Sequence, residues 1–246
     1  MEWDAPAIVL EARPYGEGDA LASVFTEAQG VHRGLARGGG ARGRISLWQP
    51  GNLVQVRWVA RLADQLGSFT AELVHPAAAL AMDDPLALAT LGAGCAVAVG
   101  ALPEREAHPR VFRGLLRLIA GLAQGTPMIA DLVRWEADLL ADLGYGLDLS
   151  ACAVTGAADG LAYVSPRSGR AVSEAAAGAW RERLLALPGF MLDQDDSGTP
   201  AGWTAGLRLT GRFLARDAFG LHHKPLPSAR QMLYDRVAAL ETPNAG

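Results

Sequence analysis

Apolar and polar residues alternate through roughly the first 75 positions, a two-residue period that predicts strands. AIVLEA (7–12) is short and partly β-branched. ALASVFTEA (20–28) sets Leu21, Ser23 and Phe25 against Ala22, Val24 and Thr26. GVHRGLA (30–36) follows a glycine turn at Gly30. GNLVQVRWVARLA (51–63) alternates Leu53, Gln55 and Arg57 with Val54, Val56 and Trp58, and LGSFTAELV (66–74) closes the set. Five short strands separated by glycine turns predict a small β-barrel, and an OB-type barrel has this strand number and length.

From Pro76 the spacing turns helical. Residues 77–102 form an apolar helical region broken near Asp84–Pro85. Residues 108–125 place Val111, Leu115, Leu118, Ile119 and Leu122 on one face and Arg110, Arg113 and Arg117 on another. Thr126–Pro127 marks the start of a helix carrying Ile129, Leu132, Val133, Leu139, Leu140 and Leu143, which Gly144 stops. Residues 150–172 read as a turn-rich insert with a hairpin. Helical pattern returns at 174–187, at about 204–219 and at 228–241, with a polar loop at 191–202. Ser228 and Gln231 form a capping-box pattern for the last helix. The expected architecture is α+β with more than one domain: a five-stranded OB-fold barrel at 1–75, then a mainly helical domain at 76–246 carrying a small hairpin insert at 150–173.

Composition refines this plan. The chain has 246 residues, half of them hydrophobic and a fifth charged, which suits a globular protein with a sizeable core. Residues 85–103 carry no charge, but Ala and Gly dominate and acids flank both ends, which predicts a buried helix over a membrane span. The acidic N-terminus with its short apolar run predicts no signal peptide, and two cysteines make neither a disulfide framework nor a four-cysteine metal site. The expected location is the reducing cytoplasm.

Formal net charge is −4, so any anion-binding surface is local. From Val31 to Leu62 stand six arginines and no acid: Arg33, Arg37, Arg42, Arg44, Arg57 and Arg61. Removing those six charges leaves about −10 on the rest of the chain. A basic strand–loop–strand on a barrel can track a phosphodiester backbone, and glycines let backbone N–H groups approach an anion. A solvated loop whose arginines aid solubility explains the charge equally well at this point. Trp48 and Trp58 are nearby aromatic candidates for base stacking, with core packing the stronger reading of Trp58. The glycine loop lacks G-K-[ST], and no H-E-x-x-H, G-x-S-x-G or EF-hand pattern is present. His222–His223 reads as structural or solvent-facing. No nucleophile and base assemble, so no enzyme is expected.

The segments IVLEARPYGEGDALASVFTEAQGVHRGLARGGGARGR, LWQPGNLVQV, LGYGLDLSAC and LHHKPLPSARQML, in that order, resemble the RecO family of bacterial recombination mediators. The resemblance implies a non-enzymatic DNA repair protein with an N-terminal OB fold and a helical C-terminal domain. It implies binding of single- and double-stranded DNA, strand annealing and work with RecR, in some lineages also RecF. It further implies contact with the acidic C-terminal tail of single-stranded DNA-binding protein, help in loading RecA, and association with the nucleoid. A protein–protein adaptor that binds that tail with little DNA binding of its own is the alternative, and an enzyme acting on phosphorylated small molecules is a third.

By position, the resemblance assigns DNA contacts to Arg33, Arg37, Arg42, Arg44 and Arg57 in the barrel and to Lys224 and Arg230 near the C-terminus. It assigns the partner tail to Arg134, whose competing reading is a surface pair with Asp138. Gly38–Gly39–Gly40 dilutes the family's basic turn and predicts a mobile, weaker-binding loop. Several members of the family hold zinc on two C-x-x-C pairs in the insert. Here the pairs read Cys152–Thr155 and Ser173–Ala176, so one ligand of four remains and no zinc or other cofactor is expected.

Overall fold

The computed structural model describes residues 1–62, 64–122 and 129–241. The chain divides into two compact units, Met1–Thr126 and Pro127–Gly246.

The first unit is built on a closed barrel of β1 (Glu2–Tyr15), β2 (Asp19–Thr26), β3 (Gly30–Ala36), β4 (Leu53–Val59) and β5 (Ser68–His75) in the order β1-β2-β3-β5-β4. All pairings are antiparallel except β3 with β5. The alternation seen in the sequence is the barrel's inside and outside. Ala7, Val9, Ala22, Val24, Val54, Val56, Trp58 and Phe69 fill the interior, while Gln55 and Arg57 point outward from β4. Strand β1 is longer than its apolar run because it serves two partners. Its first half pairs with β4 and its second with β2, with a register shift between Val9 and Glu11.

Three helices follow in the same unit: α1 (Ala77–Leu80), α2 (Pro85–Ala101) and α3 (Pro109–Leu122). The break at Asp84–Pro85 is a helix start, with the Asp84 carboxylate accepting from the N–H groups of Leu86 and Ala87 at 2.8 and 3.1 Å. The uncharged α2 buries Ala93, Cys95, Val97 and Ala98 against β1, and the Cys95 thiol lies 3.8 Å from the Val9 carbonyl oxygen. Burial pushes that thiol up to about 12. No helix is long and apolar enough to cross a membrane among the described residues. Helix α3 buries its apolar stripe, with Phe112 edge-on to Phe25 of β2 at 5.3 Å, and leaves Arg110, Arg113 and Arg117 exposed.

In the second unit, α4 (Ile129–Asp142) packs against α6 (Pro200–Phe213), which in turn packs against α7 (Ser228–Ala238). Helix α4 ends at Gly144, which has φ +88°. The Thr126–Pro127 start lies outside the described residues. The insert forms a three-stranded sheet, β7-β6-β8, from β6 (Leu161–Val164), β7 (Ala171–Ser173) and β8 (Leu185–Ala186). The helix read at 174–187 is therefore corrected. It is one α-turn, α5 (Glu174–Ala177), then a 3-10 segment (Gly178–Arg183) that feeds β8. Gly178 at φ +47°, ψ −134° breaks the α-helical run. Helix α6 begins earlier than its apolar pattern, at Pro200, because the Thr199 hydroxyl caps it by accepting from Gly202 N–H at 3.2 Å. The capping box of α7 does not form. Pro227 takes the cap position and the Gln231 amide donates to Asp235 instead, at 3.0 Å.

Candidate nucleic-acid interface

All six arginines of the acid-free stretch are exposed. Arg33 stands on the outer face of β3, Arg57 on the outer face of β4, and Arg37, Arg42 and Arg44 on the connection between those strands. They divide by electrostatics. Arg33 is held by Glu104 at 3.1 Å and Arg57 by Glu2 at 2.6 Å, acids that lie far away in sequence. The Arg57 guanidinium keeps the Glu2 carboxyl below the usual carboxylate range. Arg37, Arg42 and Arg44 have no carboxylate partner among the described residues, so no ion pair has to be broken before they meet an anion.

The connection from residue 37 to 52 is folded as a strap tied down at both ends. Gly38 donates its N–H to the Asp19 carboxylate at 2.7 Å, and Gly40 donates to the Gly18 carbonyl at 3.0 Å. Gly39 and Gly40 are packing requirements, while Gly38 adopts φ +66°. A Cβ on Gly40 would lie 2.8 Å from the Asp19 carbonyl oxygen, and one on Gly39 2.9 Å from the Ala36 side chain. At the far end, the Asn52 amide donates to the Ser46 and Leu47 carbonyls at 2.8 and 3.2 Å while accepting from Ala78 N–H at 3.1 Å. Asp19 and Asn52 thus anchor the two ends of the basic strap. Sequence reasoning missed both, since neither belongs to a charge or motif pattern; an Asx residue beside a glycine was the only available signal.

The tryptophans are not stacking platforms. Trp48 and Trp58 are both buried in the barrel core, Trp48 against Phe69 and Trp58 with its indole N–H donated to the Leu66 carbonyl at 3.0 Å. Beside them His32 is enclosed by Trp3 and Trp58 at ring distances of 5.2 and 4.7 Å. Neither of its ring nitrogens has a hydrogen-bond partner among the described residues. Burial, aided by the positive charge of Arg105, lowers the His32 imidazole to about 4.

In the second unit the assigned residues separate. Lys224 is exposed, as are His222 and His223. Arg230 is 1 % exposed and forms an ion pair with Glu136 of α4, which is 0 % exposed. Its guanidinium also donates to the Leu207 carbonyl at 2.8 Å, and the Thr210 hydroxyl completes the cluster by donating to the same carboxylate. Arg230 is thus buried and held by Glu136 and the Leu207 carbonyl, so a phosphate reaches it only if that ion pair is broken, which argues against its assignment to DNA binding. Arg134 is also engaged. It donates to the carbonyls of Phe190, Asp193 and Asp196 at 3.0, 3.0 and 2.7 Å and to Asp131 at 2.7 Å, with its side chain 15 % exposed. It holds the 190–196 loop, its acid partner is Asp131 instead of Asp138, and its readiness for a partner's carboxylate is low.

In the insert, Cys152 meets Ser173 and Thr155. The Cys152 sulfur accepts from Ser173 N–H at 3.3 Å and from the Ser173 hydroxyl at 3.4 Å. Hydrogen bonds from the Ser173 and Thr155 hydroxyls bring the thiol down to about 6. No group of three or more His, Cys, Asp or Glu side chains converges among the described residues.

Comparison with known proteins places these features in a lineage. Residues 1–77 match the family model described as Recombination protein O N terminal, and residues 82–227 match Recombination protein O C terminal. The chain is 63% identical over 242 residues to a protein of Granulibacter bethesdensis named DNA repair protein RecO, covering 98% of this chain and 97% of the relative. Proteins of the same name from Gluconacetobacter diazotrophicus and Acidiphilium cryptum are each 58% identical, covering 98% and 96% of this chain and 97% and 96% of those relatives.

Proposed function

From a chain that belongs to the RecO family of DNA repair proteins, we propose a recombination mediator that binds and anneals single-stranded DNA. With RecR it helps load RecA onto strands coated by single-stranded DNA-binding protein. The observation that carries this reading is the anchored strap: Arg37, Arg42 and Arg44 are exposed, have no carboxylate partner among the described residues, and stand on a backbone tied down at both ends on the barrel surface. They hold phosphates without reading bases, which suits a protein that must act on any sequence. Arg33 and Arg57 join only by exchanging Glu104 and Glu2 for phosphate.

Annealing needs no catalytic group. Two strands held on one protein have a high effective concentration, and neutralised phosphates repel less. The acidic tail of the coating protein brings the mediator to its substrate. Zinc has no part in this reading. The convergent donors, one thiol and two hydroxyls, are a poor set for a tetrahedral structural zinc, and the thiol's lone pairs already accept hydrogen bonds.

The test is annealing of complementary strands coated with single-stranded DNA-binding protein, with its tail present or removed. Faster annealing that depends on the tail supports the mediator. Tail binding without annealing or any DNA shift at low salt would replace it with the adaptor.

A further inference from the structure

An exposed aromatic ring stands beside the basic strap. Tyr15, the last residue of β1, is 56 % exposed. Its ring has no aromatic or cation–π contact and its hydroxyl no hydrogen bond among the described residues. The hairpin that follows fixes its place. Tyr15 lies opposite Asp19 of β2, and the Asp19 carboxylate accepts from Gly38 N–H at the start of the strap. Strand β3 ends at Ala36, opposite Ala20, so Arg37 leaves the sheet one strand beyond Asp19. Neighbouring strands lie about 4.8 Å apart, which sets the backbones of Tyr15 and Arg37 roughly 10 Å apart. A nucleotide together with an extended arginine side chain bridges that separation.

The outer face next to Tyr15 is partly apolar. Leu21 of β2 lies opposite Arg13 of β1 and Leu35 of β3, and both leucines are half-buried. Their chain neighbours Ala20, Ala22 and Ala36 face the core, so the leucines face outward. Ile45 on the strap is 50 % exposed. Arg13 is paired with Glu11 at 2.9 Å, so the uncompensated charge beside the ring comes from the strap.

A single exposed tyrosine on a surface needs no explanation. A flat ring, aliphatic surface and three arginines without carboxylate partners among the described residues form a combination that suits a single strand, with cations on phosphates and a π face under a base. A protein partner fits less well, because Glu11, Arg13 and Asp19 interrupt the apolar surface, whereas each base needs only one flat face.

We propose that Tyr15 is a base-stacking residue: a nucleobase lies on its ring while Arg37, Arg42 and Arg44 hold the flanking phosphates. This contact favours single strands over duplex. In a duplex the bases are stacked on one another and present only their edges, so a duplex meets the arginines without the ring. The proposal rests on the reading that the strap holds DNA, and it adds a contact that involves no charge.

The experiment is fluorescence anisotropy of the full chain with a labelled oligodeoxythymidylate, a duplex of the same length and a strand of abasic sites, each across a salt series. Y15A weakens oligodeoxythymidylate binding at least about fivefold, the lower end for one base on an aromatic ring, and keeps the wild-type log–log salt slope because no charge is lost. Y15F keeps wild-type affinity. The duplex and the abasic strand bind Y15A and wild type equally. The thermal midpoint of Y15A stays at the wild-type value, because the side chain is exposed. Wild-type affinity of Y15A for the oligodeoxythymidylate overturns the stack and leaves the strap reading standing. An equal loss on all three ligands, or a loss with a shallower slope, also overturns the stack, since the ring would then support the strap instead of a base. Wild-type protein that binds none of the three at low salt overturns both.

Discussion

Arg230 of α7 and Glu136 of α4, 94 residues apart in the chain, form a buried ion pair with guanidinium Nη2 and carboxylate Oε2 2.9 Å apart. Removing either partner strands an uncompensated charge in the core. R230A and E136A should each cost about 3–5 kcal/mol. Denaturant unfolding measures this, and a loss below about 1 kcal/mol would show that the pair is open to water.

The strap should be sensitive to one methyl group at one glycine and indifferent at another. A Cβ on Gly40 meets the Asp19 carbonyl oxygen at 2.8 Å, whereas a Cβ on Gly43 meets nothing within 4 Å. G40A should lower stability by about 1–3 kcal/mol and weaken single-strand binding, because it lifts the strap off the turn that holds it. G43A should leave both unchanged. Equal behaviour of the two variants would contradict a packed strap.

Acid should weaken the barrel through His32. The folded imidazole titrates at about 4, against 6.5 unperturbed. As pH falls below 6.5 the unfolded chain takes up a proton that the folded chain refuses. The contribution of neutral His32 is complete above 6.5 and lost progressively towards 4, by up to about 3 kcal/mol. Stability measured across that range should fall in wild type and fall less in H32L. Matching slopes would contradict the assignment.

Metal analysis tests the insert. Protein dialysed under mild conditions should carry well below one equivalent of zinc per chain, and a chelator should leave its thermal midpoint unchanged. One tightly held equivalent would overturn the reading of Cys152 as a hydrogen-bonded thiol.

The barrel could be read from the sequence because a closed sheet writes its inside and outside into alternate residues, as Val54, Val56 and Trp58 against Gln55 and Arg57 show. The arginine cluster was equally plain, being a run without acids. What decided each arginine's availability was not local. Glu104 neutralises Arg33 from 71 positions away, and Glu136 reaches Arg230 only after α4 and α7 are brought together. The Gly-rich turn was ambiguous because glycine signals both mobility and close packing; the contacts a Cβ would make with Ala36 at Gly39 and with Asp19 at Gly40 exist only in the folded chain. The stretch 174–187 misled because its alanines favour helix locally, while Gly178 and the pairing of β8 with β6 impose a different path.

If the exposed arginines of the anchored strap, which have no carboxylate partner among the described residues, hold DNA by its phosphates, their removal must change how single-strand binding responds to salt. R37A/R42A/R44A compared with wild type across a salt series reads this out. Wild-type affinity should fall linearly with log salt concentration on a log scale, and the triple variant should bind more weakly with a slope shallower by about 2, three lost phosphate partners at roughly 0.7 each. An affinity and slope equal to wild type would contradict phosphate binding by the strap.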